Sequence, residues 1–263
     1  MTGSAPSLRV ERVGAAAEIA VLVLDRPGVL NAIDNELLGR LLVALADLGA
    51  DRSLRSAVIT GSDVAFCSGM DLRERAGFSD DDLRAQRVGI TTLMAALNEL
   101  PIATIAAVEG PAFAGGFELA LACDLVVASS SAVFALPEVR VGIFPGGGAT
   151  QTLTALVGPA RTRDVILTGR RLSAEEAEGW GIVARVVPPG EALAAAVELA
   201  LVIAEGAPLG IRGAKAAIRA AHRSLADGFA YEDALYEQVL VSDDRREGFQ
   251  AFVEKRPPKF TGR

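Results

Sequence analysis

Two glutamates stand where charge is costly. Glu118 falls in the first turn of an apolar run, Phe117-Glu-Leu-Ala-Leu-Ala-Cys123, and Glu138 follows Pro137 within Val133-Phe-Ala-Leu-Pro-Glu-Val139. A carboxylate among apolar side chains needs a partner or a task. Two that converge on one pocket can divide the acid and base roles of a reaction. Taken singly, each has a plainer reading: a favourable helix-terminus charge for Glu118, a surface loop charge for Glu138.

Glycines accompany them. Gly115-Gly116 directly precedes the Glu118 helix. Glycine lets backbone approach a ligand closely, and the unpaired N–H groups of a helix start suit an anion or a developing oxyanion. The plainer reading is a tight turn. No Gly-Lys-Ser/Thr follows, and these segments contain no GxGxxG, so this is not a nucleotide phosphate loop. Two other segments look equally unusual for pure structure: Ala65-Phe-Cys-Ser-Gly-Met-Asp-Leu72 and Leu136-Pro-Glu-Val-Arg-Val-Gly-Ile-Phe-Pro-Gly-Gly-Gly148.

Other chemistries are excluded by what the chain lacks. Its one histidine, His222, lies in a Lys/Arg/Ala-rich amphipathic stretch and reads as a solvated helix face, which leaves a hydrolytic triad without a base. The two cysteines, Cys67 and Cys123, form no CxxC, and no HExxH is present, so no metal site is expected. Lys plus Arg number 26 against 33 Asp plus Glu, a formal charge of −7 with no basic block, which argues against nucleic-acid binding.

The positioning elements alternate through the first half. Glu18–Asp25, Ser56–Thr60, Ile102–Val108 and Leu125–Ala128 read as buried strands. Between them lie a helix capped by Asp34, one running from Ser79 to Pro101, and the Phe117–Cys123 helix. This is an α/β pattern with a mostly parallel sheet. Two of the three unusual segments follow strand C-termini, where such sheets place their ligands. From Gly148 the chain turns helical, with one strand at Ile182–Val187, a capping box at Ser173–Glu176, and helices at Glu191–Ala204, Leu209–His222, Tyr231–Val241 and Asp244–Lys255. In a chain of 263 residues we expect an α/β core over 1–200 and a helical region over 201–263. No apolar run has the length of a membrane span, and Met1-Thr-Gly-Ser-Ala-Pro-Ser7 lacks the features of a secretory signal, so a cytoplasmic location is expected.

Taken together and in order, these segments resemble the enoyl-CoA hydratase/isomerase (crotonase) superfamily, and its hydratase branch in particular. The resemblance runs from about Val21 to the C-terminus. It is carried by Arg26-Pro-Gly-Val-Leu-Asn-Ala32, Ala65–Leu72, Gly110–Ala120 with Ala122-Cys-Asp124, and Pro137-Glu138 with Gly142 and Pro145-Gly146. Leu167-Thr-Gly169, Trp180-Gly-Ile-Val183, Asp243–Gly248 and Ala251–Arg256 complete it.

The resemblance implies a spiral of ββα units with a helical C-terminal trimerisation region, assembled as a homotrimer or dimer of trimers. It implies backbone N–H groups of Met70 and Gly115 as the oxyanion hole, and Glu118 and Glu138 as the catalytic pair. Ala32, Ser68, Met70 and Leu72 match positions along the coenzyme A channel, and Gly146 matches one lining the water pocket. Phe252 and Lys255 match residues that reach the coenzyme A of a neighbouring subunit. The substrate would be an acyl-CoA thioester, as in fatty-acid β-oxidation, with no metal, no separate cofactor and no nucleic-acid or membrane partner. Hydration of a trans-2-enoyl-CoA is the expected reaction; isomerisation, dehydration of a special 3-hydroxyacyl-CoA, or acyl-CoA binding without catalysis are the alternatives. Departures from the family pattern are Ala114, Phe117, Met70 and Phe144, and a phenylalanine beside the catalytic helix is expected to reshape the acyl pocket.

Overall fold

The computed structural model describes residues 7–62, 64–221 and 225–263. Its centre is a six-stranded sheet of β1 (Leu8–Val13), β2 (Ile19–Leu24), β3 (Ser56–Thr60), β4 (Ala103–Val108), β6 (Leu125–Ser129) and β9 (Arg185–Val187), in that order. All neighbours are parallel except β1 and β2. A smaller sheet joins β5 (Pro111–Phe113), β7 (Val133–Ala135) and β8 (Arg171–Ser173). Cys67 extends it through a parallel bridge to Ala112. The chain therefore repeats one step: a strand in the large sheet, a short strand or bridge in the small one, then a helix.

The period of a strand explains why the large sheet is covered on both faces. Ile19, Val21, Val23, Val58, Ile105, Ala107 and Val127 point one way and pack on α7 (Ala192–Ala204). Ala20, Leu22, Leu24, Ala57, Ile59, Ala106, Val108 and Val126 point the other way into the larger core. There they meet α1 (Asn35–Ala50), whose Leu37, Leu38, Leu41, Leu45 and Leu48 are buried, and α3 (Asp80–Glu99). Asp34 caps α1 by accepting from Leu37 N at 2.8 Å, and Ser79 and Asp82 form a reciprocal capping box on α3. A short α2 (Leu72–Arg75) precedes α3, and α4 (Gly115–Ala122) lies within the same core.

The second half holds α5 (Ala149–Thr168), α6 (Ala174–Gly179), α8 (Pro208–Arg219), α9 (Leu225–Leu240) and α10 (Asp243–Glu254). α7 and α8 diverge by 110° at the Gly206-Ala-Pro208 break. Lys215 fastens α8 to the core through Asp124 at 2.7 Å and the Ile102 carbonyl at 3.0 Å. Among the described residues no single helix is long and apolar enough to cross a membrane.

Several expectations change. The strand expected at Ile182–Val187 is confined to Arg185–Val187, and β8 is an additional strand in the helical half. Only half of the Ser173 capping box forms: Ser173 Oγ accepts from Glu176 N, while the Glu176 carboxylate turns to Arg170. The C-terminal helices also shift, with α9 beginning at Leu225 and α8 ending at Arg219. His222 lies outside the described residues.

Candidate active site

The site begins where β3 hands the chain to the small sheet. Gly69 has φ +96°, and a Cβ there would meet the Ala114 Cβ at 2.9 Å and Gly115 N at 3.1 Å. Glycine is required twice over. The next residue, Met70, forms a parallel bridge with Ile33, in which Ile33 N donates to Gly69 O and Asp71 N donates to Ile33 O. That register leaves the Met70 N–H outside the ladder. Arg26 fixes this corner by pairing with Asp34 at 2.8 Å and Asp71 at 3.3 Å and by donating to the Ala32 carbonyl.

β5 delivers the second donor. Ala114 turns the chain into α4 at φ +50° and ψ −125°, a region alanine rarely occupies. Gly116 then lies so close to the first segment that a Cβ on it would overlap Cys67 O at 2.1 Å. Gly115, one residue earlier, faces the cavity, and a Cβ built there would lie 3.8 Å from Met70 N. As the first residue of α4 its N–H has no intrahelical acceptor. Among the described residues neither the Met70 nor the Gly115 N–H is hydrogen-bonded to protein. Two free backbone donors thus converge from separate segments.

The carboxyls sit beside them. Glu118, 5% exposed, reaches the start of α5, where its Oε1 accepts from Gly147 N at 2.7 Å and Ala149 N at 3.1 Å. Burial raises its pKa, and these N–H groups, with the helix terminus behind them, oppose that rise. Glu138, 6% exposed, opens a 3-10 turn over Glu138–Val141, and its Oε2 is buried without a hydrogen-bond partner. Burial pushes its pKa up to about 7, with the charge of Glu118 adding to the rise. Two neighbouring carboxyls therefore differ in surroundings: Glu118 accepts from backbone donors that oppose the rise caused by burial, while Glu138 has no such donor on its buried oxygen and is pushed up to about 7.

A cavity of about 520 Å³ unites them. Seven of the residues singled out from sequence line it: Ser68, Met70, Leu72, Gly115, Glu118, Glu138 and Gly146. Ala32 is buried beneath the Met70 bridge and does not line it, nor do Phe252 and Lys255 at the end of α10. Of the two phenylalanines among the departures, Phe117 stands away from the cavity. It is fully buried against Phe134, ring centroids 5.0 Å apart, and points into the core rather than the acyl pocket. Phe144 does line the cavity.

Sequence reading missed two contributions. The donors of Gly147 and Ala149 were signalled by a triple glycine before a helix, a ready seat for an anion. Leu83, Arg87 and Ile90 on α3 were hidden inside an ordinary amphipathic pattern. Among the described residues no three His, Cys, Asp or Glu side chains gather into a metal-binding cluster.

Comparison with known proteins gives the chain's family and fold. The family model described as enoyl-CoA hydratase/isomerase matches residues 14–263. An enoyl-CoA isomerase/hydratase of Zymoseptoria tritici is 41% identical, the match spanning 98% of this chain and 89% of that one. The mouse mitochondrial enoyl-CoA hydratase domain-containing protein 2 is 39% identical over 100% of this chain and 91% of its own. The crystal structure of an enoyl-CoA hydratase from Bacillus anthracis superposes with a TM-score of 0.95 at 38% identity, covering 98% of this chain and 100% of that one. The chain belongs to the enoyl-CoA hydratase/isomerase family and has its crotonase fold.

Proposed function

We propose that this protein is a hydro-lyase that adds water across the 2,3 double bond of a trans-2-enoyl-CoA thioester. The observation that carries this reading is the unlike pair of buried carboxyls on one cavity, beside two free backbone N–H groups. Met70 N–H and Gly115 N–H receive the thioester oxygen and stabilise the enolate that forms there. Glu118, as carboxylate, accepts a proton from a water whose oxygen bonds to C3. Glu138, as acid, gives a proton to C2 as the enolate collapses. One C–O and one C–H bond form, one π bond is lost, and a proton passing from Glu118 to Glu138 restores the starting state. Ser68, Met70 and Leu72, with Ala32 behind them, guide the pantetheine arm, and Phe252 and Lys255 act on the coenzyme A of a neighbouring subunit.

A second reading has its own support. Glu138, with its unpartnered oxygen, can by itself carry a proton between C2 and C4, which is isomerisation. The Zymoseptoria relative's name includes both reactions. Glu118 supports hydration, since isomerisation leaves its anchored carboxyl without a task. The test is incubation of purified protein with crotonyl-CoA, following loss of the conjugated-thioester absorbance and the 3-hydroxy product by mass spectrometry. Glu118→Gln and Glu138→Gln should each lower turnover by about 10²–10⁴-fold while acyl-CoA binding persists. Conjugation of a 3-enoyl-CoA without hydration, unaffected by Glu118→Gln, would establish the isomerase. Binding without turnover of either substrate would establish a non-catalytic subunit.

A further inference from the structure

The acyl end of the cavity carries a cation that the reaction above does not use. Leu83, Ile90, Val141, Ile143 and Phe144 give this region an apolar wall. Arg87 interrupts it, one turn before Ile90 on α3. The residue as a whole is exposed, yet its side chain reaches the cavity wall, where a Cβ on Gly146 would lie 3.8 Å from Arg87 Nε. Gly147, the next residue, holds Glu118, so Arg87 meets the loop one residue from the amide that anchors that carboxyl.

The other cations of the lining are engaged. Arg75 Nε donates to Gln86 Oε1 at 2.7 Å, and Arg140 donates to the Thr168 carbonyl at 2.8 Å. The cavity's own carboxyls do not pair with Arg87: Glu118 is held by the amides of Gly147 and Ala149, and the buried Glu138 Oε2 has no hydrogen-bond partner at all. Among the described residues the Arg87 side chain has no hydrogen-bond or ion-pair partner. A planar, permanently charged fork facing a substrate cavity suits a carboxylate, which it can grip through two parallel N–H···O bonds.

Resting on the hydratase reading, we infer that the preferred acyl group is a short 2-enoyl chain ending in a carboxylate, recognised by Arg87. The neighbourhood of Arg87 and Gly146 sets the length: the acidic group must lie within a few bonds of C3. A long saturated tail would instead have to pass the guanidinium and strip its water without offering it an acceptor.

The test compares glutaconyl-CoA with trans-2-hexenoyl-CoA, which has nearly the same shape but ends in an ethyl group. The wild-type kcat/KM should be at least tenfold higher for glutaconyl-CoA. In Arg87→Gln the ratio of the two should fall by tenfold or more, mainly through the KM of glutaconyl-CoA, and Arg87→Lys should retain part of it. Hydration of both substrates with no preference, or an equal loss on both in Arg87→Gln, would overturn the carboxylate assignment and leave the hydratase reading intact. Failure to hydrate either substrate or crotonyl-CoA would overturn the hydratase reading, and this one with it.

Discussion

Gly147→Ala isolates the position of one carboxyl from its chemistry. Gly147 donates its N–H to Glu118 Oε1 at 2.7 Å, and its backbone is not in a left-handed conformation, so alanine can adopt it. The added methyl, however, would lie 2.7 Å from Glu118 Oε2 and 3.0 Å from its Cδ. Ordinary contact begins near 3.4 Å, so the carboxyl must retreat by about 0.7 Å. That movement stretches or breaks the bonds from Gly147 and Ala149 together. A misplacement of about 1 Å in a reacting constellation can cost ~10²-fold, which bounds the expected loss in kcat at about 10- to 100-fold. KM for crotonyl-CoA should change little, because the donors for the thioester oxygen lie on other segments. Steady-state kinetics supply the split, and thermal melting controls for folding. A well-folded Gly147→Ala with wild-type kcat would refute the argument that the anchored position of Glu118 matters. Loss confined to KM would move the effect from proton transfer to cavity shape.

Three further outcomes are expected. Gly115→Pro removes one proposed oxyanion donor at the first position of α4, where proline's backbone angle suits a helix, and a Cβ there makes only ordinary contacts. Turnover should fall by about 10²–10³-fold in a protein of normal circular dichroism, and near-normal turnover would clear that N–H of the role. If Glu138 acts as the acid, its pKa of about 7 makes kcat/KM fall as pH rises through neutrality, since the proton to be donated is lost. A pH profile that stays flat well into the alkaline range would contradict the assignment. Finally, Ile218, Tyr236, Val241, Phe249 and Phe252 are exposed on or beside the C-terminal helices, a surface suited to subunit packing. Light scattering should give three or six times the 27.3 kDa chain, and a fully active monomer would rule the assembly out.

How much of this was legible in the sequence depended on burial and length. β2, β3 and β4 were plain because both faces are buried and the strands read as continuous apolar runs. β1 was invisible: of Leu8-Arg-Val-Glu-Arg-Val13 only Leu8 is buried, so an edge strand presents no apolar run. β5, β7 and β8 have three residues each, too few for any period to show. α5 conceals a break at Gly158, where φ is +79° just before Pro159. In the site, the glycine segments and glutamates stood out because their residue types conflict with their surroundings. Arg87 did not, because an exposed arginine on an amphipathic helix gives no sign in the sequence that a loop will bring a cavity against it.

The same contrast explains which substitutions the site can absorb. Its two free donors belong to backbone, so Met70 can carry a large side chain without losing its N–H. What the geometry cannot vary is the approach of the first segment to the second. Gly116 permits it, since any Cβ there would sit 2.1 Å from Cys67 O, and Gly69 permits it from the opposite side. Ala114 shows the demand from a third direction: it accepts φ +50° because the chain must leave β5 and enter α4 within one residue. Strain in the turn and absence of side chains at the contact are two consequences of one requirement, that the first segment pass close against the start of α4. The same turn also places the glutamates. Glu118 projects from the first turn of α4, and the N-terminus of α5 closes over it with two amides that donate to its Oε1. The charge of Glu118 in turn raises the pKa of Glu138. The two carboxyls are thus given unlike surroundings by the same close approach that brings the two N–H groups together.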